Sequence, residues 1–326
     1  PGNLDIAIKD NILYADSYVD LLSIDINKLN QPQVLCRDED VFSVYNFHGE
    51  LGYFVYNKAT ERTISVNCSD PNYGERIFFN NGNVLVNTPW AGIEFDDLSN
   101  GNTGNVGQGG SLARFTLMKD YLYVINQLEL VAYDLSNPGK PMATQTTTVD
   151  WGIETLFPYK DYLFIGGNDG MYIYDNTNPQ APQYLSKFEH ANACDPVFVK
   201  DDIAYVTLRN GTWCQTFSNQ LDVIDVKDMS NPSLIASFDM DHPHGLSVVD
   251  NNLYLCEGEH GLKVFETDDL EAIHKNQIEH VKNINAKDVI ALSREHLLVV
   301  GDDGLIQFNS ENPSDLKQMS IINTSN

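Results

Sequence analysis

The sequence predicts an all-β protein made of repeated four-stranded antiparallel units set around one axis. Three observations carry that expectation. The segment LFIGGNDGMYIYD (163–175), two apolar runs joined by a polar turn and closed by Asp, recurs along the chain. From the second copy onward the spacing stays between 41 and 49 residues, the period of stacked β units. The runs themselves alternate and are rich in β-branched and aromatic residues, and no 3.6-residue apolar period extends over a helix's length.

Taken in order, the copies are LYADSYVDLLSID (13–25), LYVINQLELVAYD (122–134), LFIGGNDGMYIYD, AYVTLRNGTWCQTFSNQLDVID (204–225), LYLCEGEHGLKVFE (253–266) and LLVVGDDGLIQFN (297–309). Their reference residues are Tyr14, Tyr123, Phe164, Tyr205, Tyr254 and Leu298. Each copy supplies the two middle strands of a unit. An apolar run ahead of a Lys-Asp or Asp-Asn turn supplies the first strand, and a run after an Asn-Pro loop the fourth. Pro in Asn137-Pro138, Asn178-Pro179, Asn231-Pro232 and Asn312-Pro313 removes a ladder donor, which suits an exposed connection to an outer strand.

Four-stranded sheets at this period predict a β-propeller of six blades, with seven as the alternative, in a single domain over residues 1–326. A ring is preferred to an open solenoid because neither end of the chain carries a distinct polar cap. The fourth unit has an extra loop around residues 211–219. A larger insertion, residues 36–111, separates the first and second units. Its runs VFSVYNF, LGYFVYN, RTISVNC and GNVLVNTPWAGIEF read as strands of an excursion over one face, or else of an extra blade. The Gly- and Asn-rich SNGNTGNVGQGGS that follows reads as a linker.

Composition narrows the functional classes. With 46 acidic and 20 basic side chains the net charge is -26, and no Lys/Arg cluster offsets it, so nucleic acid is excluded as an expected partner. No apolar run approaches the roughly 20 residues that span a bilayer. Pro1 opens the chain without a signal-like segment, which reads as a processed or trimmed start. The five cysteines show no C-x-x-C spacing. There is no G-x-S-x-G, H-E-x-x-H, P-loop or dinucleotide fingerprint, so no catalytic residue is assigned and no cofactor expected.

The segments LLSID, LVAYD, MYIYD, LDVID, LKVFE and LIQFN, most followed by Asn-Pro, resemble the LVIVD-repeat family of secreted and surface-anchored bacterial proteins. The similarity covers everything except the insertion. GGSLARFTLMKDYLYVI, CDPVFVKDDIAYVTLRNGTWC and HPHGLSVVDNNLYLCEGEHGLKVF are similar to its lipoprotein branch. For that branch the resemblance implies a propeller in the bacterial cell envelope, surface-exposed or periplasmic. It also implies that a lipidated N-terminus outside this chain is the one membrane attachment.

In a propeller the beginnings of the innermost strands line the axial channel. The residues nine or ten positions before each reference residue are Asp5, Arg114, Glu154, Asp195, His244 and Asp288. Such a polar ring can bind a cation, a sugar or a basic side chain, and carboxylates held close raise one another's pKa. The simpler expectation is a hydrated channel lining. His190 with Cys194 and Asp195, and Asp241 with His242 and His244, fit no established zinc spacing and read as structural. Cys194 and Cys214 either form a disulfide pinning the fourth unit's loop or are two small buried residues. Asp169, Glu259, Asp302 and Asp303 lie in Gly-containing turns, where calcium is the one metal considered. Trp90 and Trp151 are expected in the core; Trp213, in the inserted loop, is expected to be exposed and to offer sugars a stacking face.

Two functions follow. The first is a non-catalytic, surface-associated propeller presenting its loops and polar channel mouth to a protein or glycan partner. The alternative is a hydrolase or lyase acting on a carbohydrate or ester through Glu154, Asp195 and His244.

Overall fold

The computed structural model describes residues 5–17, 19–42, 110–126, 128–189, 196–209 and 219–323. It also describes four short strands of the insertion, Phe47–His48, Gly52–Tyr53, Ile77–Asn80 and Asn83–Val86, which pair as two separate ladders. The rest of the insertion falls outside these residues, as do Trp90, Trp213, His190, Cys194, Asp195 and Cys214. The predicted architecture is the observed one: six four-stranded antiparallel sheets form a six-bladed β-propeller. Every sheet is made of consecutive strands. Blade 3 runs Ile153–Tyr159, Tyr162–Gly167, Gly170–Asp175 and Gln183–Glu189, in that order from the axis outward.

The two middle strands of each blade are the repeated segment. Leu163, Ile165, Tyr172 and Tyr174 share one face of blade 3 and pack on blade 2; Phe164, Met171 and Ile173 share the other and pack on blade 4. Alternation along one strand therefore feeds two cores. Equivalent cores join blades 1 and 2, 4 and 5, and 5 and 6. Outer strands are exposed, and Met142, Tyr184, Leu234 and Met319 lie on them.

Local chemistry explains the repeated letters. The closing Asp25, Asp134, Asp175 and Asp225, and Asn309 in blade 6, each accept the backbone N–H two residues on, an Asx turn that starts the loop to the outer strand. Those N–H donors hold the Asp134 and Asp175 carboxyls below their ordinary range. The reference tyrosines tie neighbouring blades together. The Tyr14 hydroxyl donates to the carbonyl of Pro138, and that of Tyr123 lies 2.9 Å from both Asn176 Oδ1 and the carbonyl of Pro179. In blades 1 and 2 the reference tyrosine and the Asn-Pro loop of the next blade are thus two halves of one contact.

Trp151 departs from expectation. It is 41% exposed, because it sits in the turn ahead of the inner strand of blade 3, beyond the alternating run that enters the core.

A polar cluster at one mouth of the ring

Five of the six residues picked from the inner strands are described, and all five stand at one rim. Asp5 and Arg114 immediately precede the inner strands Ile6–Lys9 and Phe115–Met118. Glu154 is the second residue of Ile153–Tyr159, His244 lies two before Leu246–Val249, and Asp288 is within Ala286–Ser293. Asp195 lies outside the described residues.

The rim is not the simple wet lining the sequence suggests. Asp5 is buried, and its carboxylate accepts three backbone N–H groups, from Ile6 through Oδ1 and from Arg114 and Phe115 through Oδ2. Its own N–H donates to Asp16 Oδ1 at 2.8 Å. Burial pushes the Asp5 carboxyl up to about 7, against the pull of those donors and of the Arg114 guanidinium. The cause is desolvation, where the sequence suggested crowding of carboxylates.

Asp288, 2% exposed, accepts the Val289 N–H at 2.9 Å and lies 3.3 Å from the Ser111 hydroxyl. Its carboxylate is wedged between two glycines. A Cβ on Gly110 would stand 2.1 Å from Oδ2, and one on Gly245 1.9 Å from Oδ1 and 2.9 Å from the Asp288 Cα, so a larger residue at either position would have to displace Asp288. Ser111 Oγ also accepts the N–H of Leu246 at 2.8 Å. The turn that opens blade 2 therefore reaches across to blades 5 and 6, and backbone occupies this end of the axis.

His244 is buried too. Its N–H donates to the carbonyl of Cys256, its carbonyl accepts the Thr207 hydroxyl, and its imidazole Nδ1 contacts Arg209 Nη1. His244 Nε2 faces His242 Nδ1 at 3.3 Å with the rings at 89°. Burial, reinforced by Arg209, His242 and Lys287, drives His244 down to about 2, so the ring is neutral at any ordinary pH. The loop carrying His242 is held by Glu257, whose buried carboxylate accepts the N–H groups of Asp241 and His242 at 2.8 Å and pairs with Lys263 at 3.2 Å.

Arg114 and Glu154 complete the cluster. The Arg114 guanidinium donates to the carbonyl of Ile125 and lies 5.9 Å from the centre of the Phe42 ring. Burial lowers its pKa, while Asp16, Asp5 and Glu154 raise it. Glu154 is enclosed by the rim yet open to water; enclosure raises its pKa, and Arg209 and Arg114 lower it. Because its surface is wet, water screens much of that upward shift.

Arg209, Asp16 and Ser111 are the members that sequence comparison did not bring out. Asp16 and Arg209 lie at the far ends of second strands, and Ser111 lies at the end of the linker. A comparison restricted to the starts of inner strands passes over all three.

Of the four turn acids considered for calcium, Asp169, Asp302 and Asp303 have protein partners. Asp169 pairs with Lys187 at 2.5 Å and accepts the Tyr172 hydroxyl, Asp302 pairs with Lys287, and Asp303 accepts the Asn285 N–H. No group of three metal-binding side chains occurs among the described residues. Cys36 and Cys256 are free thiols, and burial raises the latter. No helix among the described residues is long and apolar enough to cross a membrane.

No family model matches the chain, and no curated protein matches it. Solved propeller structures do. A protein from Lactobacillus plantarum aligns with a TM-score of 0.57 at 11% identity, over 98% of this chain and 84% of its own. Sqt1 from Chaetomium thermophilum gives 0.52 at 9%, over 98% and 71%. The periplasmic gluconolactonase of Pseudomonas aeruginosa gives 0.51 at 12%, over 76% and 92%. At such identities the likeness is one of fold.

Proposed function

We propose that the protein is a non-catalytic binding propeller of the bacterial cell envelope, presenting the Arg114, Glu154, Arg209 and His242 surface and its surrounding loops to a protein or glycan partner. The observation that supports this reading most is how the ionisable groups of the rim are used. Asp5 and Asp288 accept backbone and hydroxyl hydrogens, and His244 is locked neutral against Arg209. A general acid or base needs a group that exchanges its proton near working pH and reaches the substrate. A rim of mixed charge held rigid by its own backbone suits recognition better. The envelope location and an N-terminal lipid anchor rest on the resemblance to LVIVD-repeat lipoproteins.

A glycan array and a pull-down from envelope extracts, run with the intact chain and with Arg209→Ala/Glu154→Ala, test the reading. Retention of a partner by the parent chain and at least a tenfold loss in the variant are expected. Equal retention by both overturns it.

The second reading, a carbohydrate or ester hydrolase or lyase, draws on the water-accessible Glu154 carboxylate set beside Arg209 and Arg114 and on a fold shared with a gluconolactonase. Turnover of a lactone or ester panel that disappears in Glu154→Gln would favour it over binding alone.

A further inference from the structure

We propose that residues 110–115 are a strap that closes the ring across its axis, holding the last blade to the first. Three observations converge on this. Each of the six sheets consists of consecutive strands, so among the described residues no strand from one end of the chain completes the sheet at the other. Closure has to come from elsewhere.

The seam between blades 6 and 1 is also the less deeply buried one. On the face of blade 1 turned away from blade 2, Ile6, Ile8, Leu13 and Ile24 are half-buried, while Ala15 and Leu22 are buried. On the face of blade 6 turned away from blade 5, Leu298 and Leu305 are half-buried, while Ile290 and Val300 are buried. The corresponding residues on both faces of blade 3, Leu163, Phe164, Ile165 and Ile173, are fully buried. Less apolar area is withdrawn from water at this seam, so less holds it shut.

Finally, the strap bonds both sides of that seam. At one end Asp5 of blade 1 accepts the N–H groups of Arg114 and Phe115; at the other Ser111 binds Asp288 of blade 6 and the Leu246 N–H of blade 5. Gly110 and Gly245 let the strap and blade 5 close on the Asp288 carboxylate from either side. The same strap is where the chain returns from the 36–111 insertion, so a pull on the insertion is transmitted to the seam.

Hydrogen exchange read by mass spectrometry on the intact chain tests the strap, with Ser111→Ala and Asp288→Asn as variants. Exchange in peptides covering residues 6–17, 244–249 and 286–301 should accelerate at least tenfold, while blades 3 and 4 keep the protection of the parent chain. Uniform acceleration in all blades, or none, overturns the proposal. Should either variant fail to fold, the unsubstituted chain in sub-denaturing urea gives the answer. Blades 1 and 6 should then open together with residues 110–118 before blades 3 and 4, and a single transition shared by all six blades refutes the strap.

Discussion

At the rim formed by the inner hairpin turns, Lys9, Lys119 and Lys160 reach forward to Asp120, Asp161 and Asp202 of the following blade, and Lys200 reaches the carbonyl of Asp250. The same lysine-to-next-turn contact is repeated four times, largely in water. At the opposite rim, among the described residues, only blades 1 and 6 present the same group, an aspartate that accepts the next backbone N–H. Asp5 and Asp288 cap backbone, Arg114 lies beside Phe42, Glu154 stands in an enclosed wet hollow, and His244 is dry against Arg209. One set of strands thus ends in a periodic, solvated surface on one side and an aperiodic, partly desolvated one on the other. Repetition at the first rim has a purely architectural explanation, because every blade must meet its neighbour in the same way. Loss of repetition at the second marks the surface free to be shaped by something other than the fold.

The sharpest way to break this comparison is at Asp5. Asp5→Ala leaves the Arg114 and Phe115 N–H groups in a buried seam without their acceptor, and each such loss costs roughly 1–3 kcal/mol. A destabilisation of about 3 kcal/mol or more is expected, read as a lower urea midpoint at unchanged slope. A cost below about 1 kcal/mol would mean that the irregular rim is no more demanding than the solvated one.

A second test uses pH, where two buried groups at this rim pull in opposite directions. His244 has a folded pKa of about 2 and an ordinary value of 6.5, so the unfolded chain takes up a proton that the fold refuses; this erodes stability as pH falls below 6.5. Asp5 has a folded pKa of about 7 against 3.8, so the fold keeps a proton that the unfolded chain releases; this erodes stability as pH rises from 3.8 toward 7. The two nearly cancel between about pH 4 and 6.5, so together they add almost no slope there. His244→Gln removes the first effect, so its stability should fall with rising pH across that window by up to about 3 kcal/mol, and Asp5→Asn should show the opposite slope. Urea melts at pH 4, 5 and 6.5 resolve the slopes; parallel profiles for all three proteins would show that neither group is desolvated as its position implies.

How much of this was legible in the sequence follows the same division. The six repeat units, their strand order and the outer connections could be read because a blade's core needs alternating apolar residues, and its turns need Asp, Asn, Gly or Pro, in every copy; whether the insertion adds a seventh blade could not. The rim location of Asp5, Arg114, Glu154, His244 and Asp288 could be read too, since register within the repeat fixes position along a strand. What each does there could not. The environment of Asp5 depends on Asp16 and on backbone 109 residues away, and that of Asp288 on Gly110, Ser111 and Gly245, which come from other blades. Even the aromatic and Asn-Pro signals, both visible as repeats, disclosed their mutual contact only once adjacent blades were in place.

The mildest perturbation belongs to the repeated rim. Lys119 pairs with Asp161 at 2.7 Å and reaches the carbonyl of Asn176 at 3.3 Å, with the lysine 34% and the aspartate 53% exposed. Ion pairs this wet contribute at most about 1 kcal/mol, since water screens the attraction and ordering two side chains opposes it. Lys119→Met keeps the length of the stem over the hairpin while removing the charge. Its urea midpoint should shift by less than about 1 kcal/mol equivalent, and the shift should shrink further in 1 M salt, where the screening length falls to about 3 Å. A salt-independent loss as large as that of Asp5→Ala would place a desolvated, structural charge at this rim as well. The contrast between the two ends of the propeller would then rest on sequence variety alone, without the difference in burial that now explains it.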